Sequence, residues 1–219
     1  MDTLNLWRIV MIKTLLMVCL ILVLPLFAKE VYIIHGFNCT SQYAWIPSVK
    51  KELQNLGYMV KTPNMPTPDK PSLEQWIKHL KEQISSLNSE TYFITHSLGG
   101  IALLQFLSQE HFKNHSKIGG VILVSPFDKP LEILPILDDF TRTKPDYKNL
   151  QKHIHSAIII SSKDDKIVPH SLSKEVAKAL NAKLVATENG GHFMDQDGFY
   201  TFPLVVEIFK NLQNKQINK

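Results

Sequence analysis

Residues 91–107, with the sequence TYFITHSLGGIALLQFL, constrain the fold of this chain more than any other stretch. Residues 92–95 are aromatic or β-branched, which is typical of a buried strand. Nearly every residue at 101–107 is apolar, which is typical of a buried helix. The intervening His-Ser-Leu-Gly-Gly therefore predicts a sharp strand-to-helix turn with Ser97 at its apex.

A turn of this kind can hold a serine hydroxyl clear of the sheet, as a nucleophile elbow does. The elbow pattern is Gly-x-Ser-x-Gly, whereas the first position here is Thr95, so the match is Thr-x-Ser-x-Gly. The bulkier threonine requires a small neighbour. The same residues also fit a simpler interpretation, in which Ser97 only caps the helix, and the rest of the chain has to distinguish the two.

Short apolar runs recur along the rest of the chain and alternate with amphipathic helical patterns. Besides residues 92–95, these runs lie at 31–34, 58–62, 121–124, 157–160 and 183–187. Strands that are apolar on both faces and alternate with helices are typical of a parallel sheet covered on both sides. The sequence therefore predicts an α/β fold with a doubly wound, mostly parallel sheet.

The helices and loops between these strands have local signals of their own. Apolar residues at helical spacing predict a helix over 43–56, and Gly57 ends it. Ser72 with Gln75 has the pattern of a capping box at the start of the next helix. The prolines at 126–150 predict a small excursion over one sheet edge, too short for a full lid domain.

Several polar residues come just past the ends of predicted strands, where open α/β sheets build their sites. Ser97, an acid at Asp164 or Asp165, and His192 follow one another in the chain order Ser…Asp…His. That order is typical of a catalytic triad on an α/β sheet, and the agreement of three distant segments favours a catalytic Ser97. Asp128 also follows a strand and is a further candidate for the acid.

Each residue type suits acyl transfer. A serine hydroxyl needs a base within hydrogen-bond reach, and an imidazole titrates near neutrality and is oriented by a carboxylate. The oxyanion of the tetrahedral intermediate needs two N–H donors. The residue after the nucleophile, Leu98, is predicted to supply one, and Phe37, in the loop after the first strand, is the predicted second donor. This chemistry requires no metal and no cofactor.

The N-terminal segment differs from the rest of the chain. An apolar run at 14–28 follows two basic residues and predicts a secretory signal covering residues 1–28. The alternative is an uncleaved anchor, since residues 9–28 are long enough to span a bilayer. In either case the positive-inside rule places the domain, residues 29–219, outside the cytoplasm, in the periplasm or secreted.

Composition excludes other classes of function. A chain of 219 residues with 44% hydrophobic residues fits one globular domain. The net charge is +4 and the lysines are scattered, so a nucleic-acid partner is not indicated. Once a signal containing Cys19 is removed, Cys39 is alone and no internal disulfide forms.

Several motifs together resemble the small serine hydrolases related to YdeN and to retinoblastoma-binding protein nine, within the α/β-hydrolase superfamily. The resemblance covers roughly residues 31–213 and rests on VYIIHGF, KELQNLGYMVKTPNMPTP, THSLGG, SSKDDKIVP and NGGHF. It implies a compact α/β-hydrolase fold with a minimal lid and a triad of Ser97, Asp165 and His192. In related sequences the acid commonly lies four residues before a proline, which selects Asp165 over Asp164.

The function expected from these residues is hydrolysis of esters with small or medium acyl chains through an acyl-enzyme. The expected partner is a small-molecule acyl substrate, and contact with a membrane is expected only through an uncleaved N-terminus. Two alternatives remain: a binding protein that keeps the fold without useful catalysis, and an enzyme that uses the same triad for acyl transfer or peptide cleavage.

Overall fold

The structure of the protein, a computed structural model, describes residues 29–110, 112 and 116–217. The predicted signal segment at 1–28 lies outside these residues. Within them, no helix is long and apolar enough to cross a membrane.

Six strands form one sheet in the order β2-β1-β3-β4-β5-β6, and every neighbouring pair is parallel. The strands are β1 (Glu30–Ile34), β2 (Met59–Lys61), β3 (Thr91–His96), β4 (Gly120–Val124), β5 (Ala157–Ser162) and β6 (Lys183–Thr187). The predicted α/β class with a doubly wound parallel sheet is confirmed. From the neighbouring strands β1 and β3, the chain adds β2 on one side and β4, β5 and β6 on the other. Because all six strands are parallel, their carboxyl ends lie at the same edge of the sheet.

Six α-helices cover the sheet in the described residues. They are α1 (Ile46–Asn55), α2 (Leu73–Gln83), α3 (Leu98–Gln109), α4 (Tyr147–His153), α5 (His170–Leu180) and α6 (Pro203–Ile217). Two 3₁₀ helices, Pro135–Phe140 and Asp195–Asp197, lie in the connections after β4 and β6.

The core has two layers, one on each face of the sheet. Apolar side chains of α2, α3, α4 and α5 pack on one face, and those of α1 and α6 pack on the other. Alternate residues of a strand serve opposite layers: Tyr32 and Ile34 face the first, whereas Val31 and Ile33 face the second. This two-sided burial explains why the strands have continuous apolar sequences instead of alternating ones.

The first helix begins later than the sequence predicts. The predicted helix over 43–56 starts at Ile46, because Ala44 has a positive φ of 49° that a helix cannot contain. Pro47 lies in the first turn, where its missing N–H costs nothing. Gly57, with φ of 88°, ends the helix as expected.

The capping box predicted at the start of α2 is wrong. Ser72 does occupy the position before the helix, but its side chain makes no capping hydrogen bond. The N–H of Leu73 instead donates to Oδ2 of Asp139 at 3.3 Å. An acceptor from the excursion at 126–150 therefore satisfies a helix N-terminus that a local side chain was expected to cap.

Candidate active site

The strand-to-helix turn holds Ser97 in a strained conformation. Its φ and ψ are 51° and −119°, in a region that a non-glycine residue rarely adopts. The N–H of Ser97 donates to the carbonyl oxygen of Val124 at 2.8 Å, which ties the turn to the neighbouring strand β4. Ser97 as a residue is 6% exposed and lines a cavity.

Two glycines after Ser97 allow the tight packing of this turn. A Cβ atom on Gly99 would lie 2.6 Å from the carbonyl oxygen of His35, so only glycine lets the start of α3 approach the end of β1. A Cβ atom on Gly100 would lie 3.3 Å from Oγ1 of Thr95. Gly100 is thus the small neighbour that accommodates a threonine where the elbow pattern has glycine.

His192 forms a hydrogen-bonded pair with Asp165. Nδ1 of His192 donates to Oδ2 of Asp165 at 2.8 Å, and the carboxylate is fully buried. Oδ1 of Asp165 accepts the N–H groups of Ile167 and Val168, each at 2.9 Å. With Nδ1 used as the donor, Nε2 of the imidazole is left as the basic nitrogen.

A third side chain, that of Ser125, also donates a hydrogen bond to the carboxylate of Asp165. Ser125, which directly follows β4, donates its hydroxyl to Oδ2 of Asp165 at 2.9 Å and is fully buried. Ser125 also has a positive φ of 47°, which turns its side chain toward the acid. Sequence reasoning missed this residue, and the one signal for it was its place immediately after a strand.

Asp164 shapes the loop that carries the histidine. Its Oδ1 accepts the N–H groups of Gly190 and Gly191 at 3.0 and 2.9 Å, and it also accepts the hydroxyl of Ser162. The Ser162 hydrogen bond and the glycine amides hold the pKa of Asp164 below its ordinary value. Asp164 makes no hydrogen bond to the ring of His192.

Asp128 lies at the start of the excursion and contacts two residues near its end. Its Oδ2 accepts the hydroxyl of Tyr147 at 2.9 Å and lies 3.5 Å from Nζ of Lys144. This carboxylate therefore links the beginning of residues 126–150, just after β4, to their end at the start of α4. Of the three acids considered from the sequence, the one in hydrogen-bond contact with His192 is Asp165.

A second buried histidine, His96, lies directly against the first. Nε2 of His96 donates to the carbonyl oxygen of His192 at 2.8 Å, and the two ring centroids are 4.9 Å apart. Burial, with a smaller contribution from His192, lowers the pKa of His96 to about 3. His96 is therefore neutral at physiological pH and fixes the backbone of the histidine loop.

The loop after β1 lies against Ser97. A Cβ atom on Gly36 would be 3.2 Å from Cβ of Ser97, so the two segments are in contact. His35 holds this loop: its Nε2 accepts the N–H of Met65 at 2.9 Å, which leaves Nδ1–H to donate to the carbonyl of Gly36 at 2.8 Å. Burial lowers the pKa of His35, consistent with a neutral ring in this role.

The two predicted oxyanion donors are close to Ser97. Leu98 is the first residue of α3, where an N–H group has no partner within the helix. Phe37 follows Gly36 in the adjoining loop and lines the same cavity as Ser97.

One cavity of about 330 Å³ contains both Ser97 and His192 in its wall. This volume is at the lower end of the range of about 300–1,000 Å³ for small-molecule sites. Its other large side chains are mostly apolar: Phe37, Cys39, Tyr43, Leu134, Ile167 and Met194. Leu134 comes from the excursion, which thus borders the cavity. Within the described residues, no group of three or more His, Cys, Asp and Glu side chains is arranged to hold a metal ion.

A serine on a strained strand-to-helix turn, beside a histidine paired with a buried aspartate at the carboxyl edge of a parallel sheet, is the arrangement of α/β-hydrolases. A family model described as "Serine hydrolase" matches residues 31–211, and the chain belongs to this family.

Comparison with individual proteins agrees with the family. The chain is 39% identical over 188 residues to YdeN of Bacillus subtilis, covering 86% of this chain and 98% of that protein. It is 25% identical over 181 residues to the serine hydrolase RBBP9 of Rattus norvegicus, covering 81% and 91% of the two chains. The resemblance to small serine hydrolases of this kind is therefore confirmed.

Solved structures share the fold. The crystal structure of the Bacillus subtilis ydeN gene product has a TM-score of 0.83 at 38% identity and covers 85% of this chain and 100% of its own. Est1E from Butyrivibrio proteoclasticus has a TM-score of 0.65 at 19% identity, with 88% and 89% coverage, and supports the fold alone.

Proposed function

We propose that this serine hydrolase cleaves carboxylic esters of small or medium acyl chains through a covalent acyl-enzyme. The observation that carries the proposal is the convergence of strained Ser97 and the His192–Asp165 pair on one small, mostly apolar cavity. The serine, the imidazole and the carboxylate have the residue types, chain order and sheet edge that acyl transfer requires.

In the first half of the reaction, Nε2 of His192 takes the proton of Ser97 as Oγ attacks the carbonyl carbon of the ester. The N–H groups of Phe37 and Leu98 stabilise the oxyanion that forms. His192 then gives its proton to the departing alcohol, which leaves Ser97 acylated. Asp165 keeps the imidazole in the correct tautomer and stabilises its cation throughout.

In the second half, water takes the place of the alcohol. His192 accepts a proton from this water as its oxygen attacks the acyl carbon, and the same two N–H groups hold the second oxyanion. Collapse of this intermediate releases the carboxylic acid, and the proton on His192 returns to Oγ of Ser97. The atoms balance as one ester and one water giving one acid and one alcohol.

The size and polarity of the cavity support small or medium acyl chains. At about 330 Å³ the cavity has room for a modest acyl group, and most of its large side chains can contact alkyl carbons. The excursion at 126–150 contributes the apolar side chain of Leu134 to the wall.

The test is the Ser97→Ala variant assayed on 4-nitrophenyl acetate and butyrate. Loss of the nucleophile should lower kcat/KM by about 10³-fold or more, as removal of a triad member does in other hydrolases. Ser108→Ala is a matched control, since Ser108 lies at the far end of α3, where its hydroxyl bonds to Leu104 and Asp146.

A fluorophosphonate probe distinguishes catalysis from a pure binding role. The probe should label the folded wild-type protein at Ser97 and should not label Ser97→Ala. Wild-type turnover retained by Ser97→Ala, or a folded protein that is inert to the probe, would contradict ester hydrolysis and favour the binding alternative.

A further inference from the structure

We propose that the hydrogen bond between Tyr43 and Asp195 closes one wall of the cavity that contains Ser97 and His192. This closure restricts the enzyme to short, uncharged acyl groups. This inference rests on the proposed ester hydrolysis and specifies which substrates the same site accepts.

This hydrogen bond, called the bridge below, joins the loop that carries Phe37 to the loop that carries His192. Tyr43 belongs to the segment between Phe37 and α1, and Asp195 opens the 3₁₀ helix that follows His192. The Tyr43 hydroxyl donates to Oδ1 of Asp195, although 152 positions separate the two residues in the chain. The same Oδ1 also accepts the N–H of Gln196 at 2.8 Å, which fixes the carboxylate in place.

The bridge forms part of the cavity wall. Tyr43 itself lines the cavity, and so does Met194, the residue immediately before Asp195. Cys39, which is 8% exposed, lines the cavity from the same segment as Tyr43. A group entering between these two loops meets side chains that the hydrogen bond holds together.

The charges around this wall disfavour an anionic acyl group. None of the residues that line the cavity is Lys, Arg, Asp or Glu, and His96 is neutral. Asp195 does not line the cavity, but its negative charge adds to burial in raising the pKa of Cys39 to about 11. A carboxylate on the acyl chain would meet this negative field in a mostly apolar space whose own lining residues include no cation.

The hydroxyl of Tyr43 stays protonated and can therefore donate a hydrogen bond. Burial, and then the hydrogen bond and charge of Asp195, raise the pKa of Tyr43. Tyr43 therefore remains protonated over the working pH range. Its hydroxyl keeps a hydrogen bond to the carboxylate of Asp195, which lies outside the cavity. Without this donor the two loops lose a charge-assisted hydrogen bond, which is stronger than a bond between neutral groups.

The experiment compares kcat/KM for 4-nitrophenyl acetate, butyrate, hexanoate and octanoate in matched variants. Tyr43→Phe removes only the donor and Asp195→Ala removes the acceptor, whereas Asp195→Asn keeps an acceptor oxygen. Tyr43→Phe and Asp195→Ala should each raise the octanoate-to-acetate ratio by about 10-fold, in line with the loss of one charged hydrogen bond. Asp195→Asn should stay close to the wild-type ratio, and the double variant should show little more than either single variant.

The ratio separates specificity from folding, since a smaller folded fraction lowers kcat/KM for all four esters equally. A wild-type ratio in both Tyr43→Phe and Asp195→Ala would overturn the inference and leave ester hydrolysis, measured on acetate, in place. Wild-type protein without Ser97-dependent turnover of any ester would overturn the proposed function and this inference with it. A hemisuccinate ester turned over as fast as the butyrate ester would contradict the exclusion of charged acyl groups.

Discussion

His96 links the active site to the pH dependence of stability. The pKa of His96 is lowered to about 3, chiefly by burial, whereas an unfolded histidine titrates near pH 6.5. Between these values the unfolded chain binds a proton that the folded chain does not. The free energy of unfolding therefore falls as the pH falls from about 6.5 toward 3.

His96→Asn should make this pH dependence shallower. One proton of difference corresponds to about 1.4 kcal/mol per pH unit, so the variant should lose up to about that much slope between pH 6 and pH 4. Urea unfolding at several pH values measures the slope directly. The variant is expected to be less stable at pH 7, because it loses the contact with His192, but only an unchanged slope would contradict the prediction.

At the same scale, the sequence predicted which residue types meet but not every contact among them. Position after a strand left Asp164 and Asp165 open, and only the resemblance to related sequences selected Asp165. In the structure Asp165 bonds His192, whereas Asp164 bonds the glycine amides, a role that the sequence did not predict. Ser125 was missed because its role depends on a positive φ and on a loop forty residues away.

At the scale of elements, the junction between α3 and β1 depends on Gly99. A Cβ atom there would lie 2.6 and 2.7 Å from the backbone oxygens of His35 and Ile34, which belong to the end of β1 and its loop. Neither oxygen can move without shifting the segment that leads to Phe37. The close approach of helix and strand therefore fixes the distance between the serine and the proposed oxyanion loop.

Gly99→Ala should destabilise the protein by about 1–3 kcal/mol, as overpacking of a core does. Gly100→Ala is the matched control, because its Cβ would meet its nearest neighbours, Pro126 and Thr95, at 3.3 Å. Both positions lie in the first turn of α3, so the change in helix propensity is similar, and the difference in stability reports the closer backbone contact at Gly99. Urea unfolding measures it, and equal stabilities would contradict a backbone clash at Gly99.

Elements with strong apolar periodicity were predicted well, and their ends were predicted less well. Strands such as β3 and β4 are buried on both faces, so continuous apolar runs identify them. Helix ends depend on partners from elsewhere: Leu73 at the start of α2 bonds Asp139 instead of Ser72. A local pattern cannot contain an acceptor that lies 66 positions further along the chain.

At the scale of the whole molecule, the sheet and the proposed site that the structure describes lie within residues 30–217. All six strands, both core layers and the cavity with Ser97 and His192 belong to this part of the chain. Lys29 lies at the domain surface, where its Nζ donates to Gln213 at 3.2 Å. The segment 1–28 is proposed to act in export.

Export with cleavage predicts a defined product. If residues 1–28 are a secretory signal, the full chain expressed in a Gram-negative host should appear in the periplasm with its N-terminus at or near Lys29, as read by intact-mass measurement. Leu20→Arg, which interrupts the apolar run, should leave the chain uncleaved in the cytoplasm. An uncleaved chain in the membrane fraction would instead support the anchor, in which β1 at Glu30 begins almost directly after the bilayer-spanning residues and holds the domain against the surface. Uncleaved wild-type chain in the cytoplasm would contradict both interpretations.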